Sequence, residues 1–292
     1  MDASGFVWGY FFPFLRVTGF APYNLPPGKN SDAIKWKICT LLNIILLILL
    51  MWSNDSHHSL LIVSEYNSFG ALFNEFNVRG CYLDIVFTLI MIYKRRFKIQ
   101  AVICEISNLA KDMAWDMNTY TSGNFRISLL FYYFLIINAG NVVQLVASIF
   151  LSFLDFGFVI KLLILKNANF ATDLNFIIFV LNVKILFEHL FGTVNCLRNK
   201  SRRDLMIMIK KWKNFYFKIC KIAEDVGDCY NESIIVITMV EFAVFVYMNY
   251  LLIVKGMDWM FILALLEWNL FYASKIVIKL YMCYSVAKQV NL

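Results

Sequence analysis

Long continuous apolar stretches, rather than alternation, organise this chain. Runs of this kind occupy about residues 34–52, 72–93, 127–151, 172–197, 233–254 and 259–284. A membrane-spanning helix needs roughly twenty mostly apolar residues, and each of the six meets that length. The first is the plainest, with TLLNIILLILLMW; the second is apolar only after Gly80, in CYLDIVFTLIMIY. A membrane β-barrel would instead show short segments of alternating polarity separated by turn residues. With 4 prolines and 12 glycines, the chain has too few breakers for that pattern. The stretch 153–165 is also apolar, but Asp155, Gly157 and Lys161 interrupt it. It reads as an outer loop or interfacial helix, not a seventh span. The expected fold is all-α: a polytopic membrane helical bundle of six transmembrane helices, forming one domain over residues 1–292.

The polar positions give the bundle an orientation. Lysine and arginine collect on the cytoplasmic side of membrane proteins. Arg16, Lys29, Lys35 and Lys37 precede the first run, and SNDSHHSLLIVSEYNSFG after it holds neither residue. KRRFK follows the second run, and Arg198–Lys221 after the fourth is the most basic stretch of the chain. The connections after the third and fifth runs are poor in both. Strict alternation places both termini in the cytoplasm; the expected setting is the plasma membrane. It excludes a rhodopsin-like receptor, whose amino terminus lies outside. Residues 97–113 and 205–226 each carry an apolar stripe beside a basic face, through Ile99, Ile103, Ile106 and Ala110 and through Ile209, Trp212, Tyr216 and Ile219. Either they lie on the inner leaflet, or the membrane helices continue into the cytoplasm and pack as a bundle.

Composition closes off other classes. Hydrophobic residues make up 60% of the chain and charged residues 16%, against roughly a quarter charged in soluble domains. The net charge of +7 flanks apolar runs instead of forming one exposed basic surface, which argues against nucleic acid. Seven cysteines without C-x-x-C spacing and three histidines supply no metal site and no cofactor site. G-x-S-x-G, Walker A and H-E-x-x-H motifs do not occur, so nothing supports an enzyme. Asn54 heads a glycosylation sequon on the predicted outer side, close to the first span.

Ionisable groups inside spans are costly unless paired or facing a cavity. Lys184 and Glu188, one turn apart, are expected to form an intramembrane ion pair. Glu241, Lys275 and Lys279 read as interhelical partners, the lysines reaching for the inner interface. Uncharged polar groups gather among aromatics in the predicted outer halves, with Asn138, Asn141, Gln144 and Ser148 forming one stripe. Helix–helix hydrogen bonding accounts for such a stripe, as does an outward-opening apolar pocket with a few orienting polar groups. In the pocket reading, Asn141, Gln144, Asn175, Phe179, Tyr247, Tyr250, Glu267 and Trp268 bind a small molecule.

RVTGFAPYNL after an aromatic-rich start, the inside amino terminus, the basic extension after the fourth run and EWNLFYASKIVIKLYMCYSVAKQ near the end together resemble the gustatory receptor branch of the insect chemoreceptor superfamily. The resemblance is diffuse and covers nearly the whole chain. It implies a seven-helix fold and a subunit of a ligand-gated cation channel, oligomeric in the membrane and opened by small-molecule tastants. The family's final helix, with a Thr-Tyr start and a following Gln, lines the pore. No such motif occurs here, so the expectation is a chain one helix short and non-conducting alone. The other function class that fits is an orphan transporter or a regulatory scaffold, although no repeat relates the two halves, as many transporters would show.

Overall fold

A computed structural model of the chain describes residues 5–22, 31–52, 68–113, 156–195, 202–254 and 259–290, with isolated positions at 132, 136, 139 and 140. Every regular element among them is an α-helix: α1 (Gly5–Val17), α2 (Ser31–Trp52), α3 (Ser68–Asp112), α4 (Phe156–Asn195), α5 (Arg202–Val254) and α6 (Trp259–Val290). The predicted run 127–151, with Asn141 and Gln144, lies outside the described residues apart from those isolated positions, and so does Asn54.

Helix α4 is the axis of the assembly. Helices α1, α3, α5 and α6 all pack on it, and Leu163–Gly192 is apolar enough to cross a bilayer yet buried along its length. The stretch 153–165 differs from expectation: α4 begins at Phe156 and runs through it without a break. A helix enclosed by other helices needs no polar face, so Lys161 and Lys166 do not interrupt it. Among the described residues two further segments are long and apolar enough to span, Met206–Tyr250 and Asn269–Val290. Helix α2 lies at the periphery and exposes Ile34, Ile38, Leu41, Leu42, Ile45 and Leu49 along one side. An apolar face of that extent suits lipid rather than water. The chain is a multi-pass membrane protein.

Helices α3 and α5 are far longer than a bilayer requires. At 1.5 Å per residue, 45 and 53 residues extend about 68 and 80 Å, against a hydrocarbon core of about 30 Å. The amphipathic stretches 97–113 and 205–226 are therefore parts of these two helices, packed together beyond the apolar zone. Ile99, Val102, Ile103 and Ile106 of α3 and Ile219, Ile222 and Val226 of α5 form the buried seam. Trp212 donates to the Leu190 carbonyl at 3.2 Å, and the Tyr216 hydroxyl to that of Val290 at 2.8 Å. All four helix ends are thus tied at the basic end of the bundle.

RVTGFAPYNL has a physical explanation. Helix α1 ends at Val17, and Gly19 takes a φ of 85°, the left-handed cap that glycine adopts without strain. The carbonyls left over at the helix end are taken up by α2: Thr40 Oγ1 donates to Gly19 O at 2.8 Å and Asn43 Nδ2 to Val17 O at 3.0 Å. A Cβ at Gly19 would sit 3.1 Å from the Thr40 Cα. Arg16 stacks over the rings of Phe12 and Trp36.

Candidate functional site

The polar groups of the membrane zone converge at one place. Helix α4 presents Asn169 and Asp173, one turn apart; α5 presents Glu241; α6 presents Lys275 and Lys279, also one turn apart. That spacing aligns both members of each pair on one helix face. The Lys275 ammonium lies 2.7 Å from Asp173 Oδ2 and 2.5 Å from Glu241 Oε1. Lys279 lies 3.0 Å from Asp173 Oδ1 and also binds Glu241 Oε2. Each carboxylate therefore bridges both ammoniums, closing a four-membered ring of charges across three helices. Lys275 donates in addition to the Asn169 side-chain oxygen and sits over the rings of Phe271 and Tyr272.

None of the four is more than 3% exposed. In such surroundings a lone charge is prohibitive, and paired charges hold only when geometry satisfies them from several sides. The arrangement fixes the rotation and height of α6 against α4 and α5, because a turn of α6 would strand two ammoniums. From α3, Asp84 and Thr88 reach the same level, and Cys81 Sγ meets the Tyr272 hydroxyl at 3.7 Å.

The sequence-derived residues fall at different levels. Asn175 is buried and donates to the Phe20 carbonyl at 3.1 Å, tying α4 to the α1 cap. Phe179 is buried with its ring 5.4 Å from that of Tyr230, about 17 positions and 25 Å of helix from Tyr247. The structure does not bring that pair together with Tyr247 and Tyr250. Tyr247 is buried on α5 and Tyr250 is half exposed. Between them on the chain, Asn249 donates to Asn269 Oδ1 of α6 at 3.0 Å. Glu267 and Trp268 belong to the same stretch of α6. Lys184 is buried with its ammonium 5.2 Å from the Tyr281 ring centre, and Glu188, one turn along, is half buried.

Glu241, Lys275 and Lys279 stood out in the sequence as intramembrane charges; Asp173, Asn169 and Asp84 did not. Asp84 had a readable signal, a lone acid within CYLDIVFTLIMIY. Asp173 lay next to the predicted start of its span, where charges are unremarkable. The expected reach of both lysines toward an interface is replaced by complete burial in the ring.

No protein-family model matches the chain, and no curated protein does either. Its structure is similar to that of the insect olfactory receptor OR5 from Machilis hrabei in complex with eugenol. The TM-score is 0.74 at 13% identity, over 99% of this chain and 82% of that one. A second structure of the same receptor matches with a TM-score of 0.68 at 16% identity, over 95% and 78% of the two chains. At such identity the likeness is one of architecture, and the chain has the fold of an insect chemoreceptor.

Proposed function

We propose that the chain is a chemosensory receptor of gustatory type, a subunit of an oligomeric ligand-gated cation channel that responds to small molecules. The observation that carries this is the fold shared over 99% of the chain with an olfactory receptor described in complex with eugenol. The sequence resemblance to gustatory receptors supports the finer assignment. The positive-inside pattern supports a cytoplasmic amino terminus, and a receptor of this kind would sit in the plasma membrane.

The ligand site is best sought between α5 and α6, around Tyr247, Asn249 and Asn269. Asn269 is buried, and its Nδ2 has no hydrogen-bond partner among the described residues. A buried unsatisfied donor among aromatics is what a small ligand with one oxygen acceptor would complete. About two and three turns further along α6 lie Lys275 and Lys279, so a ligand that shifts α6 acts on the charge ring.

Expression in cultured cells, alone and together with other chemoreceptor subunits, tests the reading. Recordings against a panel of small phenols, terpenoids and sugars should show ligand-evoked cation current in at least one of the two settings. A correctly trafficked protein that yields neither current nor ligand binding would overturn it.

A further inference from the structure

The buried face of α3 holds a carboxyl group that the charge ring leaves unserved. Asp84 is 2% exposed, and neither of its oxygens has a hydrogen-bond partner among the described residues. The hydroxyl of Thr88, one turn along the same face and equally buried, has none either. The nearest ammoniums are engaged elsewhere. An ammonium has three N–H bonds, and those of Lys275 go to Asp173, Glu241 and Asn169. Lys279 is held by Asp173 and Glu241. The Tyr272 hydroxyl is turned to Cys81.

The charged groups acting on Asp84 are Lys275 and Lys279 from α6, Glu241 from α5 and Asp173 from α4. A third lysine, Lys166 of α4, is buried close by over the Phe271 ring that Lys275 also faces, and none of these ammoniums makes a hydrogen bond to Asp84. An ionised Asp84 would stand without a direct partner in a region closed to water, where an unpaired charge is among the costliest things a fold can hold. We propose that Asp84 and Thr88 form a site that takes up one monovalent positive charge, a sodium ion or a proton, and so gives the buried carboxyl the partner it lacks. A carboxylate and a hydroxyl are hard oxygen ligands of the kind alkali and alkaline-earth cations accept. The two nearby ammoniums select against a divalent ion by repulsion. A proton meets the same need by converting Asp84 to a neutral acid able to donate to Thr88. Uptake does not depend on what the protein senses.

The thermal unfolding midpoint of the full chain in nanodiscs, in sodium chloride and in N-methyl-D-glucamine chloride of equal ionic strength at acid and alkaline pH, separates the two sources. Sodium binding predicts a midpoint raised by a few degrees by sodium at alkaline pH, weakened in Thr88→Val. Proton uptake predicts a rise on acidification without sodium, together with the infrared carbonyl band of a protonated carboxylic acid. In either case Asp84→Asn should lose the response and the band. Equal responses in wild type and Asp84→Asn would overturn the proposal. A wild type showing no sodium response, no acid stabilisation and no protonated-acid band would overturn it without any variant.

Discussion

The same ion pairs occur in two regions of this molecule and do different work in each. In the stalk where α3 and α5 run together, Lys98 meets Asp228 at 2.9 Å and Asp225 at 3.6 Å, Arg95 meets Glu232 at 3.0 Å, and Lys218 meets Asp112 at 3.9 Å. Each of these pairs has at least one partner open to solvent: Lys98 is 42% and Asp228 63% exposed, while Arg95 is half-buried against an exposed Glu232. In the core, Lys275, Lys279, Asp173 and Glu241 make pairs of similar length with almost no exposure. Exposed pairs contribute about 0–1 kcal/mol because water and salt compete for both partners. Buried ones are nearly neutral as a set, yet breaking one costs about 3–5 kcal/mol by stranding a charge. The stalk is therefore held by its apolar seam with charges trimming the edges, whereas in the core the charges set the register of three helices.

The largest effect expected from this contrast is at Glu241 or Asp173. Replacing either by alanine leaves two ammoniums around one carboxylate in the ring, and should lower stability by about 3–5 kcal/mol. Thermal midpoint and monodisperse yield after extraction would record it. Replacing all four charges by apolar residues of similar size should recover most of that loss. If the quadruple variant is as unstable as the single ones, the ring is a source of net stability and the comparison fails.

A second effect comes from the α1 cap. Gly19→Val forces a branched side chain into a left-handed conformation and against the α2 backbone, at a cost of about 1–3 kcal/mol. Its local signature is faster hydrogen exchange in residues 14–21 with little change in the stalk. Uniformly faster exchange would mean that α1 is part of the common core instead of a docked element.

How far these features could be read from the chain depends on how each residue is enclosed. The apolar runs are visible because lipid demands length, and α2, facing lipid along one side, obeys that rule most plainly. The stalk stripes are visible because one side of each helix is wet and the other dry. Helix α4 is enclosed on all sides, so polarity leaves no periodic trace, and its first turns resembled a loop. That error put Asp173 at a span boundary when it lies well inside a 40-residue helix. The ring joins positions 173, 241, 275 and 279, a pairing across distant segments that local spacing cannot announce. Glu241 and both lysines were legible as isolated costs; their shared answer was not.

Ligand recognition should respond on a smaller scale. If the pocket lies between α5 and α6, Asn269→Ala removes its unsatisfied donor together with the Asn249 contact. Loss of one hydrogen bond to a ligand, about 1.4 kcal/mol, is a tenfold rise in the concentration for half-maximal current. Phe179→Leu, at the deeper level against Tyr230, should leave that concentration unchanged while lowering stability. The reverse result would move the site to the α4–α5 level.

The smallest effect belongs to the stalk and bounds the comparison from the other side. Lys98→Ala should change stability by no more than about 1 kcal/mol, and less as salt is raised. The pair also carries a pH signature. The hydrogen bond from Lys98 to Asp228 raises the lysine pKa above its ordinary value. A group whose pKa is raised on folding stabilises the fold while it is protonated in both states, and that contribution disappears as pH rises through the folded value. The wild type should therefore lose a small increment of stability at strongly alkaline pH that Lys98→Ala lacks, with no difference between their pH slopes near neutrality. A loss from Lys98→Ala approaching that of Glu241→Ala would show that solvent does not weaken the stalk pairs, and the distinction between the two regions would no longer rest on burial.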